Sequence, residues 1–356
     1  MAIRVVVVGA GIIGGSIAWR LAQRGAEVTL VDAGAMGGEA SSAGAGMLAT
    51  GGEIVSPHGW RQMALESRDL YPAFVQELAG ESGCGIDFRA NGAVELAASE
   101  QEWAHLEERA AAQGGIGIHS HALTIQEALD LIPGLEAGSM FGARFFPGDA
   151  IVDPRDIMGA LRSVCRARRV RLVEHCAVRK LRAANGTVQV YTPMGLLKAD
   201  AAVLSSGAWS GAVEVSGAQG AIPTPVSFPV RGHLIAYLST PGRLNPILRH
   251  QNTYLLQRTS GRLIAGTSEE RVGFDRSLDP DIVADIHSRA SRLLPELAGI
   301  AAEQSWTGFR PAVEDLEPRI GRLESTRIWL AYGHYRNGIL LAPATAERIS
   351  GQILSS

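Results

Sequence analysis

The chain has 356 residues, of which 46% are hydrophobic and 19% charged, and its formal net charge at pH 7 is −3. This composition does not indicate a nucleic-acid-binding surface or a disordered chain, and the length is typical of two domains. No apolar run reaches the ~18 residues that a membrane-spanning helix needs, and the chain enters a predicted strand almost at once. We therefore expect neither a membrane span nor a signal peptide.

The three cysteines, Cys84, Cys165 and Cys176, are scattered along the chain without the spacing of metal ligands. Such a set is typical of reduced thiols in a cytoplasmic enzyme. We expect no metal site.

The first residues carry a dinucleotide-binding pattern. Four valines at 5–8 predict a strand buried between two layers, because a β-branched run of this length is apolar on both faces. Gly9, Gly11 and Gly14 follow with G-x-G-x-x-G spacing. The first glycine allows a tight turn, the second lets a pyrophosphate approach the backbone, and the third lets helix and strand pack closely.

A helix is predicted after this turn, from an apolar stripe at 17, 18, 21 and 22 that ends at Gly25. Its N-terminus faces the turn and carries free N–H groups. A second predicted strand, 28–31, ends at Asp32, whose carboxylate can accept from ribose hydroxyls. The pattern predicts an adenine dinucleotide site, with a ligand-free βαβ turn as the alternative. Asp32 argues against NADP and leaves FAD and NAD open.

The segment 37–49, GGEASSAGAGMLA, consists of small residues and includes Ser41 and Ser42. Small residues let backbone lie against a ligand, and serine hydroxyls can bond phosphate oxygens. We expect contact with the cofactor here; a flexible surface loop is the alternative.

Regular elements are predicted through the middle of the chain. Helices are expected at 60–78, 100–113, 154–168 and 280–294. A further short helix is expected after a capping box of Thr124 and Glu127. Strands are expected at 86–96, 171–173, 177–182, 188–192, 201–209, 226–238, 254–257 and 262–266. This order predicts a dinucleotide-binding domain that resumes after an insertion, followed by a substrate domain with a mixed sheet.

The C-terminal region ends in a second candidate ligand turn. A strand at 328–332 stops at Gly333, and the sequence GHYRNG leads directly into a terminal helix. The N-terminus of that helix can stabilise negative charge on a ligand.

Several blocks together resemble the FAD-dependent D-amino-acid-oxidase-like family, with the glycine oxidases of thiamine biosynthesis as the most similar branch. They are the glycine turn, EASSAGAGML (39–48), PVRGH (229–233), TGFRP (307–311) and GHYRNGILLAPAT (333–345). The resemblance favours FAD over NAD. It implies an α/β (α+β overall) fold with a Rossmann-type FAD-binding domain and a substrate domain whose mixed sheet is largely antiparallel. We place the first domain at 1–85, 143–215 and 308–356, and the second at 86–142 and 216–307.

The resemblance also implies residues that bind the substrate. Arg310 matches the arginine that holds the substrate carboxylate, Tyr254 matches a phenol that donates to the same carboxylate, and Arg336 matches an arginine of the flavin-side turn. The alternatives are a surface salt bridge, a core tyrosine and a structural arginine. We interpret His233 and His334 as scaffold residues and assign no general base, since the amine is deprotonated before hydride transfer in this family.

Residues that match FAD contacts in the family fall in each of these blocks. The predicted set comprises Gly9, Gly11, Ile12, Ile13, Gly14, Asp32, Ala33, Ser41, Ser42, Gly46, Met47, Val178, Gly207, Trp209, Gly333, Arg336, Asn337, Gly338, Ile339 and Leu340. No cysteine or histidine stands where covalent relatives attach their flavin, so we expect non-covalent FAD.

The implied activity is oxidation of glycine, sarcosine or D-alanine to the imine, with dioxygen giving hydrogen peroxide, by a homotetramer. A dehydrogenase of the same fold, a non-catalytic FAD-binding module and a nicotinamide-dependent enzyme are the alternatives. Two departures bear on the pocket: the acidic pair Glu269-Glu270 stands where some relatives have a methionine, and Glu317 lies in an altered RPAVEDLEPRIG stretch. We expect them to affect the size and charge of the pocket and of its mouth.

Overall fold

The structure is a computed structural model that describes residues 2–53, 59–184, 186–238 and 244–356. The α-helices in these ranges are α1 (Ile12–Gln23), α2 (Ala40–Ala43), α3 (Thr50–Glu53), α4 (Arg61–Ser82), α5 (Glu100–Gly114), α6 (Ile125–Leu131), α7 (Pro154–Ala167), α8 (Pro280–Leu293) and α9 (Gly338–Leu354). Short 3₁₀ helices occur at Ala137–Ser139, Gly207–Ala212, Pro295–Gly299 and Tyr335–Asn337.

Within the same ranges, four sheets are built from 22 strands. They are β1 (Arg4–Val8), β2 (Glu27–Val31), β3 (Met47–Leu48), β4 (Phe88–Arg89), β5 (Ala93–Ala97), β6 (His121–Leu123), β7 (Gly142–Phe146), β8 (Ala150–Val152), β9 (Arg171–Val173), β10 (Lys180–Ala184), β11 (Thr187–Thr192), β12 (Gly195–Ala199), β13 (Ala201–Leu204), β14 (Glu214–Gly217), β15 (Gly220–Ala221), β16 (Ser227–Leu238), β17 (Ile247–His250), β18 (Thr253–Gln257), β19 (Arg262–Gly266), β20 (Gln304–Val313), β21 (Arg319–Arg322) and β22 (Ile328–Tyr332).

A six-stranded sheet has the order β21-β22-β13-β1-β2-β9 and is parallel except at β21. Its central strand β1 has a layer on each face, as its valine run predicts. Val5 and Val7 pack in one core with residues of α1, α7 and α9. Val6 and Val8 pack in another core with residues of a five-stranded sheet, β12-β11-β10-β14-β15.

An eight-stranded sheet has the order β20-β16-β19-β18-β17-β5-β7-β6. All its neighbours are antiparallel except β17 and β5. Helix α8 covers one face by burying Ile286, Ala290 and Leu293 against residues such as Ile235 and Leu255. The prediction of a mixed, largely antiparallel sheet beside a Rossmann-type sheet is confirmed.

The proposed division of the chain at 142/143 and 307/308 does not fall between elements. Strand β7 begins at Gly142 and pairs along its length with β5, so it belongs to the eight-stranded sheet. Strand β20 crosses 307/308 and pairs with β16 as far as Val313. Both pairings therefore continue across the predicted domain limits, and they position the site described below.

Local signals predicted helix starts well and strand limits less well. The capping box of Thr124 and Glu127 is present, and Asp153 and Asp279 cap α7 and α8. The strand predicted at 86–96 is two strands, β4 and β5, which pair in different sheets. The strand predicted from 177 begins at Lys180. The hairpin strand β12 was not predicted, because its glycine-bounded sequence has no alternation of apolar and polar residues.

Candidate functional site

A cavity of about 760 Å³ lies where the carboxyl ends of β1, β2, β13 and β22 face the strands β16, β18, β19 and β20. Its volume falls within the ~300–1,000 Å³ typical of ligand pockets. Ligands of open α/β sheets bind at this end of the strands. The cavity is therefore the candidate site.

The glycine turn brings α1 onto the sheet and exposes the helix N-terminus to the cavity. Gly9 has φ +102°, and a Cβ there would lie 2.3 Å from the Ser205 carbonyl oxygen. A Cβ on Gly14 would lie 1.8 Å from the Gly9 carbonyl oxygen, so only glycine permits this packing. Gly9, Gly11, Ile12 and Ile13 line the cavity, whereas Gly14 lies behind it.

Asp32 lines the cavity beside Ala33 at the end of β2. One carboxylate oxygen accepts from the backbone N–H of Ala10 at 2.6 Å, and the other accepts from that of Gly34 at 2.7 Å. An ionised carboxylate has about four lone-pair sites. The two backbone bonds therefore fix its orientation and leave capacity for ligand hydroxyls.

The small-residue segment forms α2 and β3 along one wall of the cavity. Ser41, Gly46 and Met47 line it, and the Ser41 hydroxyl accepts from the Ile12 N–H at 2.9 Å, at the start of α1. Gly46 has φ +81°, and a Cβ there would lie 1.9 Å from the Val152 carbonyl oxygen. Ser42 does not line the cavity; its carbonyl accepts from Arg155 at 3.4 Å.

Arg310 lies on β20 and lines the same cavity. Its guanidinium donates to the Ser268 carbonyl at 3.0 Å and to the Thr267 hydroxyl at 2.8 Å. A Cβ on Gly232 would come within 2.4 Å of this guanidinium, so the glycine provides the space that it occupies. Within the described ranges Arg310 forms no ion pair with a carboxylate, so its charge is available to an anionic ligand.

Tyr254 lines the same cavity from β18 and is 7% exposed. It pairs with Gly266 on β19, where a Cβ would come within 2.6 Å of the tyrosine hydroxyl. The glycine thus provides the space for the phenol. Arg310 and Tyr254 are brought together although they are far apart in the sequence.

The C-terminal turn contributes Arg336, Gly338 and Ile339 to the lining. An ion pair joins Arg336 to Glu269 at 3.8 Å. The other predicted residues of this turn lie behind it: Gly333 makes the bend with φ +81°, Asn337 precedes α9 as its N-cap, and Leu340 is a core residue. Val178, Gly207 and Trp209 also line the cavity.

Sequence reasoning did not identify several lining residues, among them Ser205, Gly232, Thr267, Arg276, Phe309 and Tyr335. Gly232, Phe309 and Tyr335 stand inside the conspicuous motifs PVRGH, TGFRP and GHYRNG, which was the available signal. Glu317 does not line the cavity; its carboxylate accepts from the Gly59 N–H at 2.8 Å.

The two histidines are held by protein partners. His233 is fully buried outside the cavity lining, with Nδ1 2.9 Å from a Glu270 carboxylate oxygen. Its Nε2 accepts from the Asp279 N–H at 3.1 Å, so the ring proton is on Nδ1. His334 lines the cavity, lies 3.1 Å from the Thr345 hydroxyl, and burial lowers its pKa to about 3. His334 is therefore neutral near pH 7.

The three cysteines are free thiols, and Cys176 lines the cavity near Val178. In the part of the chain that the structure describes, no group of three or more His, Cys, Asp and Glu side chains could hold a metal ion. Nor do its described helices include one long and apolar enough to cross a membrane.

A family model described as FAD dependent oxidoreductase matches residues 4–351. The chain belongs to this family. It is 33% identical over 343 residues to the glycine oxidase of Geobacillus kaustophilus, covering 96% of this chain and 90% of that protein. It is also 33% identical to the bifunctional protein ThiO/ThiG of a Synechocystis strain, covering 98% of this chain and 51% of that protein.

The fold is similar to the crystal structure of the Geobacillus kaustophilus glycine oxidase, with a TM-score of 0.93, 31% identity and coverage of 100% and 96% of the two chains. The predicted resemblance and enzyme class are confirmed, and the cofactor is FAD, not NAD. The cavity fits this cofactor, since it joins a free helix N-terminus for phosphates to an oriented carboxylate for ribose hydroxyls.

We expect Asp32→Ala to weaken FAD binding at least about tenfold, because it removes a charged acceptor and leaves two backbone N–H groups unpaired. Titration of the apoprotein with FAD, followed by flavin fluorescence, measures this change. Asp32→Asn keeps one acceptor and should lose less affinity. Equal affinity of Asp32→Ala and the unmodified protein for FAD would contradict a role of Asp32 in FAD binding.

We expect His334 to make the fold sensitive to acid. Its pKa of about 3 in the folded state lies below the ~6.5 of an exposed imidazole, so the unfolded state binds a proton first as the pH falls. The resulting stability is complete above pH ~6.5 and is lost towards pH ~3. His334→Gln should therefore lose about 2 kcal/mol less free energy of unfolding between pH 6.5 and 4.5.

Chemical denaturation at these two pH values, with FAD saturating, measures the difference. His119→Gln is the matched control, because His119 is exposed. Parallel losses in all three proteins would contradict the assignment to His334.

Proposed function

We propose that the chain is a cytoplasmic FAD-dependent oxidase of glycine and other small amino acids such as sarcosine and D-alanine. The observation that carries this proposal is an arginine without a carboxylate partner in the described chain, lining the same cavity as the glycine turn. The similarity to glycine oxidases supports it. By the same resemblance, the imine product would supply thiazole synthesis for thiamine.

The proposed binding mode begins with the carboxylate of the substrate. A guanidinium can donate two parallel hydrogen bonds to a carboxylate, and the Arg310 guanidinium is already oriented by Thr267 and Ser268. The phenol of Tyr254 would donate to the same carboxylate. With the carboxylate bound by Arg310, the α-carbon of a small amino acid would lie against the bound flavin.

The proposed cofactor site is formed by lining residues at the starts of α1 and α9 and at the end of β2. The N-terminus of α1, with Gly11, Ile12 and Ile13, would hold the pyrophosphate, and Asp32 would bind the ribose. Gly338 and Ile339, at the start of α9, would contact the flavin. When bound, FAD would supply the acceptor for the hydride of the α-carbon and the route of the electrons to dioxygen, with hydrogen peroxide as the product.

The remaining catalytic contribution of the chain is orientation and electrostatics. Neither histidine is proposed as a base: His233 bonds to scaffold groups through both ring nitrogens, and His334 is buried and neutral. By the family resemblance, the substrate amine would be deprotonated before hydride transfer, and no side chain of this chain is assigned to that step. Arg310 supplies positive charge to the wall of the cavity, where Arg336 also lies but pairs with Glu269 at 3.8 Å.

Turnover of purified protein tests the proposal. Glycine, sarcosine and D-alanine are each supplied in air, and peroxide is measured with the flavin absorbance. We expect peroxide and, under nitrogen, bleaching of the flavin. Bleaching without peroxide in air would instead indicate a dehydrogenase with another acceptor, and a flavin that none of the three bleaches would contradict the proposal. Light scattering on the same sample tests the expected homotetramer, and acid precipitation that releases FAD tests non-covalent binding.

We expect Arg310→Ala to lower kcat/KM for glycine about 100-fold, since a charge-assisted pair with the substrate is worth roughly 2–3 kcal/mol. Steady-state kinetics with glycine measures this, while the flavin content should stay unchanged.

Arg262→Ala is the matched control for this variant. Arg262 is also partly buried and lies on the same sheet, but it donates to Gln304 outside the cavity lining. Equal kinetics of the two variants would contradict a role of Arg310 in substrate binding.

A further inference from the structure

Four arginines line the cavity: Arg179, Arg276, Arg310 and Arg336. Arg179 is exposed and lies beside the five-stranded sheet, so the other three are considered for the substrate. Two of them have carboxylate partners. Arg276 pairs with Glu39 at 2.7 Å, and Arg336 pairs with Glu269 at 3.8 Å. Arg310 alone of Arg276, Arg310 and Arg336 lacks one among the described residues, so of these three it is the uncompensated cation.

Glu269 does not line the cavity itself, but it lies beside Tyr335 and Arg336, which do. Its carboxylate pairs with the guanidinium of Arg336 at 3.8 Å, and Arg336 lines the cavity. Burial and the acidic neighbour Glu269 raise the pKa of Tyr335, which also lines the cavity, while the charges of Arg310 and Arg336 lower it. Tyr335 therefore lies close enough to Glu269, Arg310 and Arg336 for their charges to act on it.

The backbone around Glu269 is also fixed. The preceding Ser268 accepts from Arg310 through its carbonyl, at 3.0 Å. The following Glu270 forms an ion pair with the buried Arg231 at 2.5 Å and exchanges two backbone hydrogen bonds with it. The backbone that carries Glu269 is therefore held next to the Ser268 carbonyl that orients Arg310, while the Glu269 side chain is 55% exposed.

We propose that Glu269 is a specificity residue that restricts the site to amines with a single carboxylate, by pairing with Arg336 and leaving Arg310 as the only uncompensated cation of the three. This inference rests on the proposed function. A second carboxylate on the substrate would meet the negative charge of Glu269 and would find Arg336 already paired. Specificity of this kind comes from a repulsive element placed beside the attractive one.

Two pairs of substrates isolate the effect of the second carboxylate. Iminodiacetate differs from sarcosine, and D-aspartate from D-alanine, by one added carboxylate. In Glu269→Gln, the amide keeps a hydrogen-bonding group for Tyr335 but no longer neutralises Arg336. We expect the ratio of kcat/KM for iminodiacetate to that for sarcosine to rise about tenfold or more, and likewise for D-aspartate over D-alanine.

Glu214→Gln is the matched control. Glu214 is 56% exposed and pairs with Lys180 at 2.7 Å on the five-stranded sheet, outside the cavity lining, so the variant removes the same charge elsewhere. Its substrate ratios should equal those of the unmodified protein. Glu269→Asp keeps the charge and should keep the preference for single carboxylates.

The double variant Glu269→Gln, Arg336→Met separates this effect from a structural one. Without the cation of Arg336, the gain with dicarboxylates should disappear. Ratios in Glu269→Gln that change no more than in Glu214→Gln would overturn the proposal, and so would a gain that persists in the double variant.

Ligand binding distinguishes failure of this inference from failure of the proposed function. Acetate and malonate are titrated into the flavin-loaded proteins and followed by the flavin absorbance. If no amino acid bleaches the flavin, the proposed function fails, but tighter binding of malonate relative to acetate in Glu269→Gln still supports the charge restriction. An unchanged malonate-to-acetate ratio in that variant overturns it.

Discussion

The contact between α1 and the turn after β1 is the constraint on which the rest of the structure depends. Gly14 lies so close to the Gly9 carbonyl that no Cβ fits, and a Cβ on Gly9 would lie 2.3 Å from the Ser205 carbonyl oxygen, in the chain that leaves β13. This packing brings the glycine turn together with a segment about 200 residues away in the sequence. It also leaves the first N–H groups of α1 directed at the cavity, where a ligand or Ser41 satisfies them.

The second constraint is the long pairing of β16 with β20. It places Val230 opposite Arg310 and Gly232 opposite Gly308, so the absent side chain at 232 makes room for the guanidinium. The eight-stranded sheet thereby contributes a cation to the cavity, and the carboxyl ends of strands in the six-stranded sheet also line it. The proposed substrate and cofactor sites are adjacent because both sheets line one cavity.

Much of the fold could be predicted because its signals are local. The glycine spacing, the valine run of β1 and the N-caps Asp153 and Asp279 are each contained within a few residues. The parallel pairing of β17 with β5 could not be predicted, because it joins segments about 150 residues apart with no local signal for the partner. For the same reason Gly232 and Thr267 were not identified, since their proximity to Arg310 exists only once β16, β19 and β20 pair.

Charge in the site follows a consistent division between scaffold and cavity. Arg231, His233 and Glu270 are bonded to one another or to backbone behind the cavity, and they fix the segment that carries Thr267 and Ser268. Those two residues in turn orient Arg310, which keeps its charge for the ligand. Burial keeps His334 neutral, so the histidine that does line the cavity supplies no proton near pH 7. A site built this way orients a substrate and balances its charge, which is what hydride transfer from a small amine requires of the protein when the cofactor supplies the redox chemistry.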